Sequence, residues 1–296
     1  MSVRIANLTD ADVETERRNF PRAFTSSTEQ RIKFWSLWGA ATALTVYCLY
    51  RFGFLSWDFP HGISKFFATV AWQLFPPRGY ANLPMFLAVM GETIAMAFLG
   101  TLLGAVFAFP LSFLASKNIT RLRPLQFGTR RFADLLRAFD YLIWALIFVR
   151  AIGLGPLAGI MAIAIVETGT FIKLYSEAIE NLDRKQIDGV TAAGGNGLHR
   201  IRFGVLPQVL PMMLSNTLYM FEHNVRSASI LGIVGAGGIG FLLADRLRAY
   251  ELQEACFIII LVVLTVYAID YLSFLLRERL IGDSRRREPI DDAKQI

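Results

Sequence analysis

Long apolar runs separated by short, charged connections dominate the chain. A membrane-crossing helix needs about 20 consecutive, mostly apolar residues, and six stretches qualify as candidates: 34–54, 85–115, 132–152, 154–178, 208–233 and 255–276. The third and fourth carry Arg137, Asp140, Glu167 and Lys173. Between the first two, residues 62–75 place Ile63, Phe66, Phe67, Val70, Ala71 and Leu74 on one helical face, which predicts an amphipathic helix at the membrane interface or packed on the bundle. Pro76-Pro77 ends it.

The basic residues orient these spans. With both termini cytoplasmic, the inner tails and loops carry 21 Lys and Arg and the outer connections 5. Such an excess marks the cytoplasmic side, and two inside termini require an even number of spans. Residues 1–33 then form a cytoplasmic tail without the apolar core of a signal peptide, 34–84 the first span and outer segment, 85–280 the main bundle, and 281–296 a second cytoplasmic tail.

Composition agrees with this reading. Hydrophobic residues make up 54% of the 296, and charged residues 18%, below the ~25% of a soluble domain. The net charge of +6 is accounted for by topology, so no nucleic-acid partner is needed. Cys48 and Cys256 each sit in an apolar run and say nothing about redox compartment.

Residues 235–240, Gly-Ala-Gly-Gly-Ile-Gly, spell G-x-G-x-x-G. That fingerprint requires a strand before it, a helix after it and an acidic residue about 20 positions on. Ile260 stands there, inside a membrane span. Gly235, Gly237, Gly238 and Gly240 instead suit a re-entrant turn, a bending gate or a plain turn at the outer end of the fifth span.

That span carries a polar stripe. On a helical wheel Tyr219, Glu222, His223, Arg226 and Ser229 share about a third of the circumference, with Phe221, Val225 and Ala228 elsewhere. Glu222 and Arg226, four residues apart, can pair. Two readings stand: an internal ion pair that cross-links helices, or a pathway lining in which His223, Asn224 and Arg226 offer donors to an anionic solute, Arg being suited to phosphorus oxyanions. Glu92-Thr93 and Glu167-Thr168 can line the same pathway, or be satisfied inside the bundle.

The cytoplasmic segment 180–207 is too patterned for a linker. Asp183, with Gln186 three residues on, starts a short helix over 184–193, and Gly194-Gly195 stops it. Gly189, Ala192 and Ala193 keep its surface small, and Pro207 and Pro211 punctuate the next helix. This loop resembles the coupling loop of ABC importer permeases, E-A-A-x-x-x-G, nine residues, then I-x-L-P. Here Asp188-Gly189-Val190 leads to Gly194, and nine residues later stands Gly204-Val205-Leu206-Pro207. Asp, Gly-Val and Gly204 replace the usual Glu, Ala-Ala and Ile. DGVTAAGG, GVLPQVLP, FEHNVRSASILGIVGAGGIGFLL and WALIFVRAIGLGPLAG are similar to the permeases of phosphonate importers over about residues 85–280.

The resemblance implies an all-α, type I importer-like permease of the bacterial inner membrane. It implies a homodimer with two cytosolic ATPase subunits, which hold the ATP and Mg, and an extracytoplasmic solute-binding protein. Asp188, Gly189, Ala192 and Gly194 would then contact the ATPase, and Leu206-Pro207 would connect that contact to the fifth span. The sequence contains no G-x-x-x-x-G-K-[ST], so nucleotide hydrolysis belongs to another chain. The competing expectation is a self-sufficient secondary transporter or channel for small anions, but no internal repeat is evident. A membrane enzyme is disfavoured, because His61, His199 and His223 lie in separate regions without metal-ligand spacing.

Overall fold

The computed structural model describes residues 28–54, 58–120 and 122–285. Most of the 1–33 tail and of the 281–296 tail lies outside them. The chain divides into two units, Met1–Trp72 and Gln73–Ile296. In the first, α1 spans Thr28–Arg51 and α2 spans Asp58–Lys65, continued by a wide π-helical segment Phe66–Ala71. The amphipathic segment is thus helical, and its Ile63, Phe66 and Phe67 are exposed.

The second unit is a helical bundle. Its helices are α3 (Leu83–Ala115), α4 (Arg123–Leu136), α5 (Tyr141–Ile152), α6 (Pro156–Glu180), α7 (Arg184–Ala192), α8 (Leu206–Leu231), α9 (Gly238–Arg248) and α10 (Leu252–Arg285). Among the described residues, α3, α6 and α10 are long and apolar enough to cross a membrane, and the bent pair ending in α9 makes a fourth.

Two expected spans differ. The 34–54 span forms the 24-residue helix α1, but Trp35, Trp38, Thr42, Thr45, Tyr47 and Tyr50 dilute its aliphatic content, and it falls outside that group. The 132–152 span is broken. Asp140 caps a new helix by accepting from the Leu142 N–H at 3.3 Å, so α4 ends at Leu136. The apolar part, α5, has 12 residues, about 18 Å of helix against a hydrocarbon core of about 30 Å.

The bundle is held by close backbone approach. Gly100 and Gly104 of α3 face α6, where a methyl group on either would come within 2.7 Å of Ile163 Cβ and 2.6 Å of Glu167 Cβ respectively. Small residues four apart let apolar helices approach this way when no hydrophobic force drives them together in lipid. One apolar cluster joins Phe171, Tyr175 and Ile179 of α6 to Val209 and Met213 of α8. A second joins Met96, Ala162, Ile163, Val225 and Leu231.

Candidate functional site

The loop after α6 builds as its sequence requires. Asp183 caps α7 by accepting from the Lys185 N–H at 3.0 Å. The helix ends at Ala192, one residue earlier than expected, and Gly194 turns the chain away at φ 81°. Its N–H bonds Thr191 O and that of Gly195 bonds Val190 O, both at 3.0 Å, which satisfies the terminal carbonyls. Asp188, Gly189, Ala192 and Gly194 are all exposed. The opposite side of α7 is anchored: Ile187 packs on the α6–α8 core. Gly204 is buried below it, where a Cβ would come within 3.3 Å of the Ile187 backbone. The glycine at the position usually held by Ile is therefore the residue that lets α7 sit down on the bundle. Leu206 and Pro207 begin α8, with proline in its first turn, where no N–H is missed.

Leu198 and Phe203, in the connection between α7 and α8, are exposed. They were not foreseen, although exposed apolar residues in a glycine-rich connecting loop are a signal of a contact surface.

The polar residues of α8 divide between two environments. Asn224 is fully buried and donates from Nδ2 to Thr101 Oγ1 at 2.9 Å. It also lies within hydrogen-bonding reach of Glu167, which is itself buried and accepts from Tyr141 Oη at 2.6 Å. Thr101, Tyr141, Glu167 and Asn224 thus knot α3, α5, α6 and α8 together in the middle of the bundle. Thr168 is turned back onto Ala164 O at 2.6 Å. Sequence reasoning placed Glu167 and Asn224 but missed Thr101 and Tyr141, since neither stands out in an apolar run.

The outer side of α8 corrects one expectation. Glu222 and Arg226 do not pair with each other. Arg277 of α10 donates to Glu222 at 2.8 Å, and Arg226 meets Asp270 of α10 at 3.7 Å. An antiparallel neighbour offers each charge a partner across the helix contact, which the i, i+4 rule cannot anticipate. Arg277 also lies 5.9 Å from the centre of the exposed Tyr219 ring. His223 stands 6.3 Å from the Tyr141 ring, and Ser229 bonds back to Val225 O at 3.2 Å.

The glycine-rich stretch is a turn with no strand before it. Gly235, Gly237 and Gly238 have φ of 95°, 82° and 70°, a region open to glycine. Gly240 has no room for a side chain, because a Cβ there would run into the Ser229 carbonyl oxygen. Thr93 of α3 closes the turn: its Oγ1 accepts from the Ile239 N–H at 2.8 Å, capping α9 from another helix. The chain bends by 45° here. Beneath the turn lies a cavity of about 390 Å³ lined by Glu92, Gly235, Gly237 and Gly238 together with apolar side chains. Three of the four predicted glycines therefore meet Glu92, while Glu167 and Asn224 do not reach this cavity.

An all-helical bundle with a docked, outward-facing short helix and a glycine turn at the end of the span that follows is the architecture of a type I importer permease. The chain belongs to the family described as binding-protein-dependent transport system inner membrane component, whose profile matches residues 100–285. It is a multi-pass, non-catalytic membrane component of an ABC importer.

Its relatives narrow the class. It is 36% identical over 225 residues to the putative phosphite transport system permease protein HtxC of Stutzerimonas stutzeri, covering 76% of this chain and 79% of that one. It is 38% identical over 190 residues to the phosphate-import permease protein PhnE of Mycolicibacterium smegmatis, covering 64% of this chain and 36% of that one. In fold it is similar to a chain of the inward-facing MetNI methionine ABC transporter, with a TM-score of 0.61 at 20% identity over 69% of this chain and 99% of that one.

Proposed function

We propose that this chain carries a phosphorus oxyanion (phosphite, phosphate or a phosphonate) into the cytoplasm, powered by ATP hydrolysed on a partner. The relatives' transport of phosphite and phosphate supports the substrate class. The observation that carries the power-source reading is α7. Asp188, Gly189, Ala192 and Gly194 face outward, while Ile187 and Gly204 fix the helix to the bundle. A helix so held can pass a push from an ATPase groove through Leu206 and Pro207 into α8.

The working assembly is two permease copies, two cytosolic ATPase subunits that hold ATP and Mg, and an outer solute-binding protein that selects the ligand. Both termini are cytoplasmic, on the side of α7. Glu92 and the turn at Gly235, Gly237, Gly238 and Gly240 form the outer gate. Tyr219, Glu222, His223, Arg226 and Ser229 lie along the pathway side of α8. The test is purification of the chain from its own membrane in mild detergent, followed by assay of ATP-driven phosphite uptake in vesicles. A stoichiometric ATPase and ATP-dependent uptake are expected. A chain that purifies alone and moves anions without ATP is instead a secondary transporter.

A further inference from the structure

Helix α9 starts beyond the glycine turn, so α8 reaches it only through backbone that bends easily. Helix α3 reaches it directly. Gly237, the residue before α9, has no side chain to cap the helix. Thr93 of α3 is fully buried and supplies the acceptor, its Oγ1 taking the Ile239 N–H at 2.8 Å. The Thr93 hydroxyl itself donates to Val89 O at 3.1 Å, so toward α9 the oxygen can only accept. Phe86 and Met90 of α3 pack with Ile239 and Leu242 of α9 in one apolar cluster. A buried N–H at a helix start needs a partner, and here that need ties α9 to α3.

The other end of α3 is tied to the root of α7. Glu180, the last residue of α6, accepts from the Lys117 N–H at 2.7 Å and from the Arg130 guanidinium. Asn118 donates to Ile179 O and Glu180 O at 3.3 and 3.0 Å. Arg130 also donates to Ala115 O, at the end of α3, at 2.9 Å. Ala108 and Ala115 of α3 share an apolar cluster with Ile179, and Ile187 of α7 packs against it. Asp183, which caps α7, follows almost at once. Between Thr93 and Ala115 the helix runs unbroken through Pro110, about 33 Å of rise.

We propose that α3 is the rod by which movement of α7 reaches the outer gate, with Glu180 and Thr93 as the positioning residues at its two ends. This rests on the coupling and gate roles proposed above. A push on α7 moves the end of α6, and the Glu180 clasp makes the end of α3 move with it. Gly100 and Gly104 hold α3 against α6 along its middle, which stiffens the pair. Thr93 then carries the start of α9, so the gate beyond the turn follows α3 while the glycines take up the difference from α8. Packed helices joined by hydrogen bonds are the kind of element that transmits coupling between distant sites.

The test is phosphite uptake per ATP hydrolysed by the full complex in vesicles of membrane lipid, measured beside its melting temperature. T93V keeps the shape and removes the acceptor; E180A removes the clasp. Each should lower the ratio severalfold while ATP hydrolysis continues, and T93S and E180Q, which keep an acceptor, should restore most of it. T93V/E180A should be little worse than the worse single variant, because both cut one route. G91A, in open space on the same helix, should keep the wild-type ratio. A lowered melting temperature with an unchanged ratio would make both residues structural only, and fully multiplicative losses would put them on separate routes; either result overturns the rod. If the variants do not accumulate, spin labels decide, at L87C/L247C and I230C/L247C in a chain carrying C48S and C256A. Leu87, Ile230 and Leu247 are exposed on α3, α8 and α9. Between the nucleotide-free and ATP-trapped states the first distance should hold and the second should change. Movement of Leu247 relative to Leu87, or none relative to Ile230, would overturn the rod. A wild type without ATP-driven uptake counts against the proposed function, whereas variants that match a working wild type count against the rod alone.

Discussion

Glu222 and Arg277 face each other across the contact between α8 and α10, 2.8 Å apart, with both side chains mostly shielded. One turn further along α8, Arg226 meets Asp270 at 3.7 Å in a more exposed setting. The order of the rungs reverses between the helices, as antiparallel packing requires. Removing one partner of the inner rung strands a charge at helix depth, where solvation is poor. Glu222→Gln and Arg277→Gln should each lower stability, and the swap Glu222→Arg with Arg277→Glu should recover most of the loss. The coupling expected is about 0.6–1.7 kcal/mol, read from a double-mutant cycle of unfolding in detergent. Strictly additive single effects would rule the rung out as a stabilising pair.

The outer rung is long and half-exposed, so its contribution to assembly is small. Arg226→Ala should therefore leave the amount of protein in the membrane near normal while depressing uptake. Quantitative blotting beside a vesicle uptake assay separates the two. Loss of the protein itself would mean that Arg226 is structural and not part of the pathway.

A Cβ on Gly240 would run into the Ser229 carbonyl oxygen, so Gly240→Ala must push α8 and α9 apart. It should cut thermal stability sharply, in the 1–3 kcal/mol range of overpacked sites. Gly91→Ala, at a helical glycine with open space around it, should be neutral or slightly stabilising. Equal melting temperatures for the two variants would contradict the close approach.

Glu167→Ala leaves the Tyr141 hydroxyl without its acceptor inside the bundle. A cost of about 1–3 kcal/mol is expected for such a stranded buried group. Glu167→Gln keeps an acceptor for Tyr141 and should cost less. Thermal unfolding of the two variants, with Tyr141→Phe alongside, orders the contributions; a Gln variant as damaged as the Ala variant would show that the hydrogen bond is not what matters.

Gly194 holds φ at 81° with open space around it, so Gly194→Val is opposed by the backbone and by no neighbour. The end of α7 should distort while the bundle stays folded. ATP hydrolysis by the assembled complex should then continue with little uptake. Uptake at the normal rate per ATP would remove α7 from the coupling path.

The α7 loop was the most legible part of the chain. Capping, stop and proline signals are local, and local chemistry governs them. The long spans α3, α6 and α10 were also legible, because length and apolarity suffice. The break before α5 was not, since Asp140 could be read as an unwelcome charge in a span as easily as a cap. The ion partners of α8 were invisible for another reason: Arg277 and Asp270 lie some fifty residues away, and only packing brings them near. Gly100 and Gly104 were readable as a small-residue pair, but nothing local says which helix they meet.

The two rungs between α8 and α10 have a mechanical consequence. They are four residues apart on α8 and seven apart on α10, about 6 and 10.5 Å of rise. A slide of one helical turn along α10 would set Arg226 against Val266 or Phe274, so the contact has a single register, like a key with unequal teeth. Movement of α8 is therefore expected to carry α10 with it through the Glu222–Arg277 rung, and the glycine turn, whose backbone accepts unusual angles, is where the pair can bend.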